Sequence, residues 1–361
     1  MNEQATARIA TSSNTAPKSR PAATITASTG SAYSRILSTG SYRPSRIVTN
    51  AEICEHIDSS DEWIRARSGI IERRFAADNE SVVDMGTAAA VAAVANANIT
   101  PDQVGAVIVG TVTHPYQTPS AAAEIAERLG TRGAGAVDLS AACAGFSYGV
   151  GFADGIIRSG AATYVVVIGV EKLSDFTSPH DRSTAFIFAD GAGAAVIGPS
   201  DEVSIGPTVW GSDGSQCALI MLEPDWVTYR KQLESSDDDD VIAFPSLHMQ
   251  GQAVFRWAVG EVSKVARQAL DAAGVTVDDL DAFIPHQANM RITDAMVRTL
   301  GLPSHVAVAR DIETSGNTSA ASIPLAMDRM LHSGEVKSGD LALLIGFGAG
   351  LAYAAQVVRL P

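Results

Sequence analysis

The sequence predicts an α/β protein built from two similar halves, and three observations carry that reading. Apolar strand-like runs such as Tyr164–Gly169 (YVVVIG) and Leu341–Ile345 (LALLI) alternate with helical stretches such as Gln252–Ala273. Two segments of the first half return in the second: Ala95–Gly110 (ANANITPDQVGAVIVG) matches Ala272–His286 (AAGVTVDDLDAFIPH), and Phe188–Ile197 matches Phe347–Val357. The chain has 361 residues, beyond the roughly 100–200 of a single domain, and only 18% are charged, which leaves a large interior. Apolar runs this continuous need cover on both faces. The natural packing is therefore five layers, α-β-α-β-α, with helices outside and between two sheets. The expected divisions are an N-terminal extension over 1–34, a first half over 35–207 and a second over 208–361.

The formal net charge of −14 argues against a nucleic-acid binder, so an acidic partner would need a local basic patch. The three cysteines, Cys54, Cys143 and Cys217, lack Cys-x-x-Cys spacing, so neither a disulfide framework nor a metal site is expected, and a reducing cytoplasm fits. Apolar stretches are interrupted before the roughly 20 residues a membrane span needs. The extension is rich in Ala, Ser and Thr and is expected to be disordered; an organelle transit peptide is the alternative. The acidic run Glu234–Asp240 reads as a solvated loop.

Along the chain, Ala136–Gly160 (AVDLSAACAGFSYGVGFADGIIRSG) carries a strand to Leu139 and a helix beginning about Cys143. Unpaired N–H groups at a helix start favour a thiolate, so Cys143 is a candidate nucleophile; the plain alternative is a small buried residue. Glycines 145, 149, 151 and 155 are costly inside a helix and imply close packing, hence a central position. Gly145–Gly149 also matches G-x-S-x-G, the nucleophile elbow of serine hydrolases, which would make Ser147 the nucleophile. An elbow needs the strand to run straight into the first glycine, and here the strand ends several residues earlier.

Asp281–Arg291 (DAFIPHQANMR) brings an apolar strand to Pro285 and delivers His286 at its end, where α/β folds place chemistry. Asn317, in Thr314–Pro324 (TSGNTSAASIP), is a candidate polar donor or a simple helix cap. The turn Gly346–Gly350 (GFGAG) precedes a strand rather than a helix, which rules it out as a nucleotide motif.

Taken together in order, these segments resemble those of 3-oxoacyl-[acyl-carrier-protein] synthase III, a ketoacyl synthase of the thiolase superfamily, most of all its actinobacterial members. The resemblance runs from about Ile36 to Leu360 and includes SSDEWIRARSGI, FIFADGAGAAVIG, HQANMRI and GNTSAASIP. It implies a thiolase-like fold and the initiating condensation of fatty acid synthesis, from acyl-CoA and malonyl-acyl-carrier protein to 3-oxoacyl-acyl-carrier protein, CoA and CO2. By resemblance, Cys143 attacks the acyl-CoA thioester, and the Cys143 and Ala349 backbone N–H groups hold the oxyanion. His286 and Asn317 then stabilise the charge that develops as malonyl decarboxylates, with Phe347 nearby. Trp63, Arg67, Arg182 and Asn289 match CoA and pantetheine positions. No cofactor is implied, since CoA enters as a substrate thioester.

Arg256, Lys264 and Arg267 on the helix Gln252–Ala273, with Arg291 on the next, supply a basic face for an acidic carrier protein; ordinary solvated faces are the alternative. Thr118 stands in Gln117–Ser120 where short-chain relatives carry Phe, which implies a roomier acyl pocket. That segment reaches across to a partner, so a homodimer is expected. The alternatives are a Cys-His-Asn condensing enzyme of secondary metabolism, a non-catalytic relative, and a serine hydrolase using Ser147.

Overall fold

The computed structural model describes residues 23–237 and 242–361. Most of the extension and Asp238–Asp240 of the acidic run lie outside these residues. The first sheet begins at Tyr33, paired with Ser200, so ordered pairing starts within the stretch assigned to the extension.

Two five-stranded sheets dominate. The first has the order Tyr33–Tyr42, Asp190–Ser200, Tyr164–Lys172, Val104–Gly110, Gly135–Leu139. The second has the order Val209–Gly211, Tyr353–Arg359, Leu341–Phe347, Ala282–Pro285, Ala307–Val308. In each, the third, fourth and fifth strands pair in parallel and the second pairs antiparallel with both its neighbours, so the sheets correspond strand for strand. The repeats seen in sequence fall on equivalent strands. The chain crosses between the sheets after Ser200, making a single bridge from Ile205 to Val358 before the strand Val209–Gly211.

Strand alternation sorts side chains between layers. In Tyr164–Lys172, Val165 and Val167 face inward, where they meet Phe146, Val150 and Ile157 of the helix Gly145–Ser159 and Ile323, Met327 and Met330 of the helix Ser322–Ser333. Ala282, Ile284, Ala342 and Leu344 of the second sheet enter the same cluster, so these two helices form the middle layer. Val166, Ile168 and Val170 point outward to the helices Val82–Asn96 and Ala121–Leu129. Phe283, Leu343 and Ile345 do the same on the far side against Ser263–Ala273 and Met290–Leu300. Five layers result. Each fully buried aliphatic or aromatic side chain contributes about 1.5–3 kcal/mol.

Glycine makes the middle layer fit. A Cβ added to Gly145 would stand 3.0 Å from Gly110 Cα, and one on Gly149 would stand 2.6 Å from Val167 Cγ1. Gly155, read from sequence as part of the same close packing, has nothing within 4 Å of an added Cβ. The two central helices occupy equivalent places, one following the strand Gly135–Leu139 and the other following Ala307–Val308. Cys143 and Asn317 stand at their entrances.

Candidate active site

Cys143 lies on a 3-10 turn, Ala142–Ala144, that joins the first sheet to the helix Gly145–Ser159. The expectation that the helix begins at Cys143 is corrected by two residues. The expectation of a favoured thiolate is corrected too, because burial raises the thiol to about 12; the Ser319 hydroxyl opposes this and the Glu171 carboxylate adds to it. At the cavity floor, lost hydration of the anion outweighs the partial charge of the turn. The opposing wall is backbone, for a Cβ on Gly348 would stand 2.9 Å from Cys143 Sγ.

His286 immediately follows the strand Ala282–Pro285, and its N–H donates to Ile345 O at 2.8 Å, holding it to the neighbouring strand. The side chain is buried, and that burial lowers the imidazole to about 3, so it is neutral at physiological pH. Its Nδ1 lies 2.7 Å from Ser322 Oγ. Ser322 Oγ accepts the Gln287 N–H at 3.2 Å and has its own hydrogen to offer Nδ1. A neutral ring accepting at Nδ1 carries its proton on Nε2.

Asn317 is gripped through its backbone, which pairs with Phe188: its N–H donates to Ile187 O and its C=O accepts from Ala189 N, both at 2.9 Å. Asn317 Oδ1 accepts the Ser319 N–H at 2.8 Å, which leaves the amide NH2 for the cavity. The turn after Leu341–Phe347 supplies a further donor. Ala349 opens the 3-10 turn Ala349–Leu351, where the first N–H groups have no acceptor within the turn, as is also true of Cys143 in its own. The Phe347 ring meets the His286 ring edge to face at 5.2 Å and is itself buried.

These groups line one cavity of about 730 Å³, which Cys143, His286, Asn317, Phe347 and Ala349 share with Trp63, Arg67, Arg182 and Asn289. The Arg67 and Arg182 guanidinium groups lie 5.5 and 5.0 Å from the Trp63 ring. Asn289 caps the helix Met290–Leu300 by accepting the Arg291 N–H. The basic face is divided. Gln252–Ala273 is two α-helical segments, Gly251–Trp257 and Ser263–Ala273, joined by the π-turn Ala258–Val262, whose wider winding shifts the phase on which the sequence alignment of basic residues relied. Arg256 and Arg291 line the cavity, the latter over the Phe255 ring, whereas Lys264 pairs with Glu261 and Arg267 donates to Thr299 O. Thr118 is exposed and does not line this cavity.

Ser147 is fully buried inside the helix, its Oγ is without a partner among the described residues, and it does not line the cavity. Sequence reading passed over three polar residues that organise the site: Ser322, Ser319 and Glu171. The first two sit inside the quoted GNTSAASIP segment, and Glu171 is an acid ending an apolar run, a detectable oddity. Ala142, Ser319 and Leu351 are three of the four non-glycine residues with positive φ among the described residues, at 45°, 48° and 46°, and all flank the cavity groups. Such strain gathers where side chains must be held against local preference. Among the described residues no cluster of three or more His, Cys, Asp or Glu is placed to hold a metal, and no helix is long and apolar enough to cross a membrane.

Comparison with known proteins gives the family of the whole chain. Residues 137–214 match the model of 3-oxoacyl-[acyl-carrier-protein] synthase III, and residues 270–360 match that of its C-terminal region. The beta-ketoacyl-[acyl-carrier-protein] synthase III of Streptomyces glaucescens is 60% identical over 332 residues, covering 92% of this chain and 98% of the relative. The priming beta-ketosynthase of the R1128 polyketide pathway superposes with a TM-score of 0.89 at 46% identity, covering 94% of this chain and 99% of its own. The synthase III of Aquifex aeolicus does so with a TM-score of 0.82 at 38% identity, covering 90% and 99%. A buried neutral histidine and an oriented amide that share a cavity with a cysteine thus stand within a sequence matched over 92% of its length, and the chain belongs to the 3-oxoacyl-[acyl-carrier-protein] synthase III family.

Proposed function

We propose that this chain catalyses the initiating condensation of fatty acid synthesis, joining an acyl group from CoA to malonyl-acyl-carrier protein with loss of CO2. The observation that carries this reading is the pairing of a neutral His286 with an amide whose oxygen is already occupied, so that both side chains present N–H to one cavity holding Cys143. Two neutral donors suit a developing enolate oxygen, not the abstraction of a proton.

In this reading Cys143 Sγ attacks the thioester carbon, the Cys143 and Ala349 N–H groups hold the tetrahedral oxygen, and CoA leaves. Malonyl thioester then enters along the same channel. Breaking its carboxyl bond places negative charge on the thioester oxygen, where His286 Nε2 and Asn317 Nδ2 donate, and the carbanion attacks the acyl-Cys143 carbonyl. Buried Phe347 keeps the malonyl carboxylate in an apolar setting, which favours its departure as neutral CO2. Trp63 offers a face for adenine, Arg67 and Arg182 offer charge to phosphate, and Asn289 lies along the pantetheine path. Arg256 and Arg291, at the cavity, would receive the acidic carrier protein. No cofactor enters the scheme, and the three unpaired cysteines suit a reducing cytoplasm.

The partner is a second copy. Gly135–Leu139 is an edge strand with Val137 47% exposed, and Tyr116, near Thr118, is 66% exposed. An apolar edge left in water favours pairing with another strand. Likeness to a priming polyketide synthase keeps a secondary-metabolic carrier as the second reading.

The test is intact-protein mass spectrometry of wild type and Cys143→Ser with acyl-CoAs from acetyl through isobutyryl to dodecanoyl, followed by a chase with malonyl-acyl-carrier protein. Acylation of wild type alone, discharged by the chase, is expected. No adduct with any acyl-CoA would overturn the reading.

A further inference from the structure

We propose that Glu171 is the base for Cys143, reached through the Ser319 hydroxyl, so that the thiol proton waits on a buried carboxyl while the sulfur carries the acyl group. This rests on the function proposed above and adds to it the fate of a proton.

Glu171, the last residue but one of the strand Tyr164–Lys172, has no exposed surface. Its charge is met by hydrogen bonds and by no ion pair among the described residues. The two oxygens are unlike. Oε2 accepts from Thr113 Oγ1 at 2.6 Å, Val112 N at 3.0 Å and Thr111 Oγ1 at 3.2 Å. Neither threonine is free to turn: Thr113 Oγ1 accepts the Lys172 N–H at 2.9 Å and Thr111 Oγ1 accepts the Thr113 N–H at 3.3 Å, which commits both hydroxyl hydrogens to Glu171. Oε2 is thereby filled with donors. Oε1 has one partner, Ser319 Oγ at 3.1 Å, and is the atom with room for a proton.

Ser319 lies between the two ends in the chain of contacts. Its hydroxyl donates to Glu171 and is near enough to the Cys143 thiol to favour its ionisation, and its turn, Ser319–Ala321, packs against the turn bearing Cys143. The backbone φ of 48° at Ser319 lies in the left-handed region, a conformation held there by its surroundings rather than by local preference. Burial raises Glu171 to about 7, nearer the thiol than an ordinary carboxyl. His286 is neutral and does not compete as base. The remaining nearby ionisable groups turn elsewhere, Lys172 to Ala77 O and Asp175, and Asp190 to Ser174 and the Ala76 N–H.

The step balances. As Sγ bonds to the acyl carbon, the thiol proton passes to Ser319 Oγ and the Ser319 proton to Glu171 Oε1. The bond to CoA breaks with its electron pair on the CoA sulfur, which takes a proton from solvent. In condensation the acyl–sulfur bond breaks with the pair returning to Sγ, and the Glu171 proton comes back by the same path. The negative charge of Glu171 passes through the sulfur to the departing CoA, and the charge released from the malonyl carboxylate restores it, which avoids the cost of ionising a buried thiol alone.

Because the proton leaves as Sγ attacks, the rate follows the ionised fraction of Glu171, which is complete above about pH 7. Alkylation of wild type by iodoacetamide is therefore expected to rise through pH 7 and to be nearly independent of pH from about 7.5 to 9.5. In Ser319→Ala and Glu171→Gln it should rise about tenfold per pH unit over that range, and single-turnover acylation by acyl-CoA at pH 7.5 should slow about 10–100-fold. Ser319→Ala keeps the three other donors to Glu171 and the backbone contact to Asn317, so it remains informative if Glu171→Gln fails to fold. A Ser319→Ala profile and acylation rate equal to wild type would overturn the relay. Wild type that shows the plateau yet takes no acyl group from any CoA would overturn the proposed function and leave the relay standing.

Discussion

Asn317 Oδ1 accepts the Ser319 backbone N–H at 2.8 Å, and this bond decides which end of the amide meets the substrate. Asn317→Asp keeps the size and the accepting oxygen but turns the donor toward the cavity into a second acceptor. Condensation is expected to fall about 100–1,000-fold, the loss typical of one oxyanion donor, while acylation of Cys143 is retained. Quenched-flow mass spectrometry of the two half-reactions separates them; equal loss in both would remove Asn317 from the decarboxylation step.

Ser322 plays the corresponding part for His286. Its hydroxyl takes the Gln287 N–H and has a hydrogen to offer Nδ1, and we expect that bond to hold the ring as the Nε2–H form. Ser322→Ala leaves the tautomer undetermined. We expect kcat for condensation to drop about tenfold with little change in the KM for malonyl-acyl-carrier protein, because general acid and base groups act through their correct protonation state. Nitrogen NMR of labelled histidine should show the protonated nitrogen moving from Nε2 toward Nδ1; an unchanged spectrum would refute the assignment.

The duplication was legible because its signal is local: strand, turn and helix patterns recur in order, and strand pairing follows. His286 stood out at the end of an apolar strand and Cys143 at the start of a helix, whereas Asn317 stood out only through the resemblance of its GNTSAASIP segment. What sequence concealed depends on depth and on residues far apart in the chain. The reversal in thiol acidity comes from burial at a cavity floor, the division of the basic face comes from one π-turn at Ala258–Val262, and Glu171 meets Ser319 only through folding. Spacing along a chain carries no information about any of these.

The neutral His286 makes stability depend on acidity. Its folded value, near 3, lies below the ordinary 6.5 of an unfolded chain, so between those values the unfolded state binds more protons and stability falls as pH falls. Glu171, raised from 4.5 to about 7, acts in the opposite sense over its own window. Replacing His286 with Asn should therefore remove about 2 kcal/mol of the stability lost between pH 6 and 4.5. Urea unfolding of both proteins at these two pH values measures it, and parallel losses would show that His286 is not buried neutral.

Thr118 is exposed and lines no part of its own chain's cavity, although it neighbours the exposed edge strand through which a second copy is proposed to pair. If that strand brings Thr118 over the partner's acyl channel, Thr118→Phe shortens the space available to a primer while leaving Cys143 and its donors untouched. Selectivity between acetyl and branched or long primers rests on fit to an apolar wall, where each methylene is worth about 1–3 kcal/mol. The expected result is a shift of at least about tenfold in relative kcat/KM toward acetyl-CoA, with the dimer intact by light scattering. Mixed dimers offer the sharper reading. When Thr118→Phe is combined with a Cys143→Ser subunit, narrowing across the interface changes primer choice in the active wild-type partner, and unaltered choice there would show that Thr118 does not reach the neighbouring channel.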